Sequence, residues 1–396
     1  MLKKSTWKYF SLFTVLCSSA LNVSFAEEAP ALQNNIVLDS SIPVLDMRDY
    51  QNLERRPIFM EKLSNALKEV GFFAILHPGV DPKILDLAYD RAKEFFQLDQ
   101  VTKRKIFHPE LNGQRGYIPG ESAKGASIGD FKEFLHIGRE LPEIDLARLG
   151  MLRNIWPEEV SLKEPLTSLY TSLEEHFRPL EEAISTLLGK PADYLSSMTK
   201  ESVTLLRAIH YFQSPPSEAY WASPHTDINL ITILPRATAE GLQVKNKNGE
   251  WVDVVVPDGA FIVNSGDMLE NLTNGMYRSG PHRVLAKYDG YERFSMVLFI
   301  HPRPTVRLDP LPECIEKTGG VRKYADATAF ELLSERLVDL GLASRPLMEG
   351  LVNSGLMERL IEVGRASPKA MQKLKEEGLA SDAMLLELEK LKKISN

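Results

Sequence analysis

VTLLRAIHYF at residues 203–212 and HTDINLITIL at residues 225–234 decide the fold. Both runs are short, and both are rich in β-branched, aromatic and leucine side chains. Turn-forming residues bound them, so they read as buried strands rather than helix. The same texture continues through 241–244, 251–256, 260–264, 282–286 and 293–300, with Asn246-Lys247-Asn248-Gly249 as a hairpin turn. Seven short strands at turn spacing predict an antiparallel sandwich or barrel, a mainly β core.

Outward from that core the pattern changes. Towards the N-terminus, Ile42–Asp46 and Phe72–Leu76 read as strands, and Ile58–Val70 has helical spacing. Asp81-Pro82 is an N-cap followed by proline at the first helical position, opening a helix that runs towards Phe96. Residues 110–130 carry five glycines and read as a long loop, a lid or connector that includes Arg115, Tyr117 and Lys124. Residues 160–190 return to helix, with a disturbance expected at Pro179. Past Pro302 the chain is helical again. Leu374, Leu385, Leu388 and Leu391 lie among lysines and glutamates, so 306–396 is expected to be an amphipathic helical appendage. The expected organisation is thus 1–26, 40–160 (α/β), 161–305 (the β core) and 306–396.

Composition narrows the function. The chain has 396 residues, 43% hydrophobic and 26% charged, with a formal charge of −7, which excludes a general nucleic-acid binder. Past residue 26 no apolar run approaches the ~20 residues of a membrane span. Residues 1–26 read as a secretory signal. Lys3, Lys4 and Lys8 precede an apolar stretch, and Ser24-Phe25-Ala26 offers a cleavage site before Glu27. Cleavage would remove those lysines, taking the charge from −7 to −10, and Cys17, leaving Cys314 as an inert buried thiol. The expected product is an exported monomer without a disulfide, or a cytoplasmic one if the signal is not used.

His225-Thr226-Asp227 lies at the entrance to an apolar strand, where residues i and i+2 face one side. His282 begins a later strand, and Arg293 and Ser295 share a face of the next. Two neutral imidazoles and one carboxylate make the facial triad of non-haem Fe(II) oxygenases, with three coordination positions left open. Arg293 and Ser295 offer a fork and a hydroxyl suited to a carboxylate.

With these residues the chain resembles the isopenicillin N synthase-like branch of the 2-oxoglutarate/Fe(II)-dependent dioxygenases, over roughly residues 40–305. The N-terminal Ile42-Pro43-Val44-Leu45-Asp46 and Gly71-Phe72-Phe73 carry the resemblance. So do Gly241-Leu242-Gln243-Val244, Asn264-Ser265-Gly266-Asp267, His282-Arg283-Val284 and Arg293-Phe294-Ser295. It implies a distorted double-stranded β-helix (jelly roll) with outer helices; the helical C-terminal extension after about residue 305 is longer than that family core needs. The resemblance implies Fe(2+) held by His225, Asp227 and His282. It further implies that 2-oxoglutarate, the cosubstrate, is held by Arg293, Ser295 and Tyr211. The expected reaction is oxidation of a C–H bond of a small organic substrate with O2, releasing succinate and CO2. Many plant members carry Asn where Ile209 stands here. One alternative is an isopenicillin N synthase-type oxidase that uses no 2-oxoglutarate. Another is a non-catalytic jelly-roll binding protein of the cell envelope, against which the intact His225, Asp227, His282 and Arg293 speak. His77, His108, His136, His176 and His301 are expected to be ordinary surface or core histidines. His210 is a candidate for the pocket wall, Arg207 either reaches an anionic substrate or makes an ordinary strand salt bridge, and Phe131-Lys132-Glu133-Phe134 is a candidate for the substrate mouth.

Overall fold

The run RFSMVLFI, Arg293–Ile300, forms a strand whose two faces explain the layering. Phe294, Met296, Leu298 and Ile300 enter one hydrophobic cluster; Val297 enters a second, with Arg293 and Ser295 buried on its side. A strand covered on both faces carries apolar residues at successive positions, which is why this run does not alternate in polarity.

The computed structural model describes residues 41–111, 113–120, 130–213, 220–287 and 290–395. The signal reading of 1–26 lies outside them, as does Lys124 of the glycine-rich stretch. Among the described residues the strands are β1 (Val44–Asp46), β2 (Phe72–Leu76), β3 (Gly116–Ile118), β4 (Lys132–Gly138), β5 (Leu205–Tyr211), β6 (Ala222–His225), β7 (Ile231–Leu234), β8 (Leu242–Lys245), β9 (Trp251–Asp253), β10 (Phe261–Ser265), β11 (His282–Val284) and β12 (Arg293–Ile300). They form an eight-stranded sheet, β1-β2-β10-β7-β12-β5-β4-β3, and a four-stranded sheet, β6-β11-β8-β9. β1 and β2 are parallel, while β12 runs antiparallel to both β5 and β7. The second cluster, with Ile209, Tyr211, Val244, Val284 and Val297, lies between the sheets of this jelly roll.

Helices cover the other face of the large sheet. The Lys163–Leu187 helix places Leu166, Leu169, Leu173, Phe177, Leu180 and Ile184 in the first cluster at three- and four-residue spacing, and Pro179 does not end it. The Pro82–Phe96 helix begins as expected, Asp81 accepting from the Lys83 amide.

Two expectations change. The 110–130 stretch is not all loop, since β3 lies inside it, and β4 follows with all seven of its residues buried. The segment 306–396 is no appendage. Its Val338, Met348, Leu351, Leu356, Met371 and Leu374 belong to the same cluster as the sheet's helical face. The Ala329–Leu340 helix starts with a reciprocal capping box between Thr328 and Glu331. No helix of the described residues is long and apolar enough to cross a membrane.

Candidate metal and cosubstrate site

The two histidines meet because β6 and β11 pair, with His225 the register partner of His282 and their ring centroids 4.2 Å apart. Asp227 reaches them differently from the expected shared strand face: β6 ends at His225, and Asp227 lies in the turn before β7. Its Oδ1 is 4.0 Å from His225 Nε2 and 3.9 Å from His282 Nε2. One ligand atom from each of the three residues lies within 4.8 Å of the others.

Each side chain is aimed by a bond on its far side. His225 Nδ1 donates to the Ser223 carbonyl at 2.6 Å and His282 Nδ1 to the Gly280 carbonyl at 3.2 Å, so both Nε2 atoms are left as acceptors. Asp227 Oδ2 accepts from Thr232 Oγ1 at 2.6 Å and from Asn264 Nδ2 at 2.9 Å, which frees Oδ1. Burial, reinforced by His282, pushes His225 down to about 3, so this imidazole is neutral at pH 7. Burial alone would raise Asp227, but the two imidazoles and the Asn264 and Thr232 donors hold it down at about 2. Two imidazole nitrogens and a carboxylate oxygen, all on one side, suit Fe(II).

Beside them, Arg293, Tyr211 and Ile209 line a cavity of about 60 Å3 that also touches His225, Asp227 and His282. Arg293 is only 1% exposed. Its Nε donates to the Ala239 carbonyl at 3.0 Å and its guanidinium lies 4.8 Å from the Tyr211 ring centroid, yet buried Nη1 has no partner among the described residues. A buried cation with an unmatched donor is costly on its own, so this position is built to receive an anion. Ser295 is buried next to it, its Oγ donating to Tyr211 Oη at 3.4 Å, but it is not part of the cavity lining.

The remaining candidates separate. His210 faces away from the site, bonded to Glu133 and Glu292 and stacked on Phe294. His77, His108 and His176 are bonded to Asp46, Glu110 and the Ser172 carbonyl, as ordinary histidines are. Arg207, Lys132 and Phe134 line a second cavity, of about 190 Å3, that reaches His225 and Asp227. His136 and His301, read from sequence as ordinary, line it too. His301 lies two residues beyond Phe299, on the phase that carries Arg293 and Ser295, so extending the alternation past β12 would have found it. Nothing in the sequence points to Asn264 and Thr232 as partners of Asp227.

The model of the N-terminal region of the non-haem dioxygenases in morphine synthesis matches residues 42–159, and that of the 2OG-Fe(II) oxygenase superfamily matches 202–302. A 2-oxoglutarate-dependent dioxygenase of Penicillium crustosum is 30% identical over 279 residues, 66% of this chain and 85% of that one. The crystal structure of a 2OG-Fe(II) oxygenase family protein from Caulobacter crescentus superposes with a TM-score of 0.68 at 33% identity, covering 75% of this chain and 98% of the other. That of JOX2 in complex with 2OG, Fe and JA gives a TM-score of 0.60 at 28% identity, covering 73% and 82%. This chain therefore belongs to the 2-oxoglutarate- and Fe(II)-dependent oxygenases, enzymes that act on small organic molecules.

Proposed function

We propose that His225, Asp227 and His282 hold Fe(II), that Arg293 and Tyr211 hold the distal carboxylate of 2-oxoglutarate with Ser295 acting through the Tyr211 hydroxyl, and that the protein oxidises a C–H bond of a small substrate. The observation that carries this reading is the convergence of His225 Nε2, His282 Nε2 and Asp227 Oδ1. Bound there, the metal and 2-oxoglutarate together supply an oxidant made from O2, with succinate and CO2 as coproducts.

The chain's own residues orient and exclude. The Ser223 and Gly280 carbonyls fix both ring tautomers, so no proton occupies the nitrogens needed as ligands. Arg293 answers a carboxylate with the planar fork of a guanidinium. The apolar Phe72, Leu242, Ile262 and Val297 border the same cavity and keep water from it.

Anaerobic Fe(II) titration of the metal-free protein tests the assignment. His225→Ala, Asp227→Ala and His282→Ala should each remove most Fe(II) binding while leaving the fold intact by circular dichroism. A triple variant that still bound one Fe(II) with wild-type affinity would refute it.

A further inference from the structure

The backbone between two of the ligand positions is held from outside the β core. β6 ends at His225 and Asp227 lies in the turn that follows, so Thr226 joins one metal-binding side chain to the next. The start of the Asp267–Leu272 helix fixes one side of this turn. The Asp267 amide donates to the Asp227 carbonyl at 2.7 Å and the Met268 amide to the Ile228 carbonyl at 3.2 Å. The other side is met by Arg336 of the Ala329–Leu340 helix, 110 residues beyond Thr226. Arg336 Nη1 donates to the Thr226 carbonyl at 2.9 Å, and Nη2 donates to Asp267 Oδ2. The same carboxylate oxygen accepts from Thr226 Oγ1 at 3.2 Å. Arg336, Thr226 and Asp267 thus close a ring of bonds around the ligand turn. Arg336 is 7% exposed, and a guanidinium so buried needs the counter-charge that Asp267 supplies. Its helix is anchored away from the site, by Leu332 and Val338 in the first cluster and by Ser367 Oγ donating to Asp339 at 3.1 Å. The guanidinium therefore reaches the turn from a rigid element and not from a loop.

We infer that Arg336 is a positioning residue for the iron site: through the Thr226 carbonyl and Asp267 it sets the spacing of His225 and Asp227, and so makes Fe(II) affinity depend on the C-terminal segment 306–396. The inference rests on the iron assignment above. Its first support is where the bond lands. Rotation of the Thr226–Asp227 peptide would carry Asp227 Oδ1 away from its places 4.0 Å from His225 Nε2 and 3.9 Å from His282 Nε2. Thr232 and Asn264 orient the Asp227 carboxylate, but neither of those bonds reaches that peptide. Arg336 does. The second support is the origin of the bond. All three ligands come from the β core, whereas the side chain that braces two of them comes from the extension. Coupling of this kind runs both ways: if docking of the helix favours iron binding, iron binding favours docking of the helix.

The test uses the full-length protein, metal-free and anaerobic. Fe(II) Kd is read by titration against a chelator, and the absorption bands of Co(II) report ligand geometry in the saturated site. Arg336→Met keeps the aliphatic stem and removes both donors. It should weaken Fe(II) about tenfold, the lower end of what loss of a ligand's outer partner costs, and should shift the Co(II) bands even at saturation. Arg336→Lys, a point charge that reaches one acceptor of the two, should fall between that variant and the wild type, and it carries the test if Arg336→Met does not fold. Arg359→Met is the control. Arg359 bonds the Asp326 and Ser354 carbonyls and Glu331, all within the extension, so its loss should lower the thermal midpoint and leave Fe(II) affinity unchanged. In the wild type, Fe(II) should slow hydrogen exchange in the Ala329–Leu340 helix, and less so in Arg336→Met. A folded Arg336 variant with wild-type Fe(II) affinity or unshifted Co(II) bands overturns the inference. So does Arg359→Met if it weakens Fe(II) as much as Arg336→Met. If the wild type binds no Fe(II), or His225→Ala binds it equally well, the metal-site reading has failed. If the wild type binds it at this site and the Arg336 variants match it, only the role of Arg336 has.

Discussion

Asp227 presents a single oxygen to the metal position because Thr232 and Asn264 occupy the other. That gives Asn264 a role without contact to iron. Asn264→Ala should weaken Fe(II) affinity about 10- to 100-fold, as loss of a ligand's outer partner does, while Fe(II) still binds. Competitive titration against a chelator checks this, and unchanged affinity would show that Thr232 alone suffices. Arg293 acts on the cosubstrate instead. A charge-assisted, bidentate carboxylate contact is worth on the order of 2–4 kcal/mol, so Arg293→Ala should raise the 2-oxoglutarate KM about 30- to 1000-fold and leave iron binding in place. Arg293→Lys should recover only part, since a point charge replaces a fork. Ser295→Ala should cost about 1 kcal/mol, in keeping with a hydroxyl that touches Tyr211 rather than the cavity. Turnover indifferent to 2-oxoglutarate in the wild type would hand the pocket to a carboxylate-bearing substrate.

At the scale of elements, the strands that read clearly from sequence are the apolar ones. β5, β7 and β12 fall within the expected runs, and β10 overruns its own by one residue, because burial on both faces favours near-continuous apolar side chains. β4 does not read, because Lys132, Glu133 and His136 break its pattern and are nonetheless buried. Their compensation comes from elsewhere in the chain: Glu133 is met by Lys103 at 2.7 Å, by His210 at 2.8 Å and by Tyr117. No local rule foresees partners that distant in sequence, and the docking of the Ala329–Leu340 helix against the site was equally invisible. Burial would raise the Glu133 carboxyl, but His210, Lys103 and Tyr117 hold it down at about 2. Its folded value lies below its unfolded one of about 4.3, so its contribution is present above that pH and is lost as the pH falls towards about 2. The stability gap between wild type and Glu133→Gln in urea titrations should therefore narrow across that interval. Lys103→Met, which leaves the carboxylate short of its cation, should destabilise by about 3 kcal/mol at neutral pH. Gly241 shows why the Gly-Leu-Gln-Val motif begins with glycine. Its φ is +122°, and a Cβ there would lie 2.2 Å from the Leu285 carbonyl oxygen, so alanine would push β8 away from the chain that follows β11.

At the scale of the whole molecule, the described residues are held together by packing and by paired buried charges. Cys314 is fully buried, and burial raises its thiol pKa, which keeps it in the unreactive thiol form. Cys17 lies within the stretch read as a signal, so an exported, processed chain would carry one thiol and no possible internal bridge. Two measurements follow. The thermal midpoint should be the same with and without a reductant, and a thiol reagent should label Cys314 only as fast as the protein unfolds. Rapid labelling of the folded protein would mean that the first cluster opens locally around the Pro312–Lys317 helix. Mass spectrometry of the protein from its natural host should find the mature chain starting at or near Glu27, outside the cytoplasm. A chain that keeps Met1 and stays in the cytosol would overturn export. It would leave the thiol prediction standing, because that prediction depends on where Cys314 is packed and not on where the protein resides.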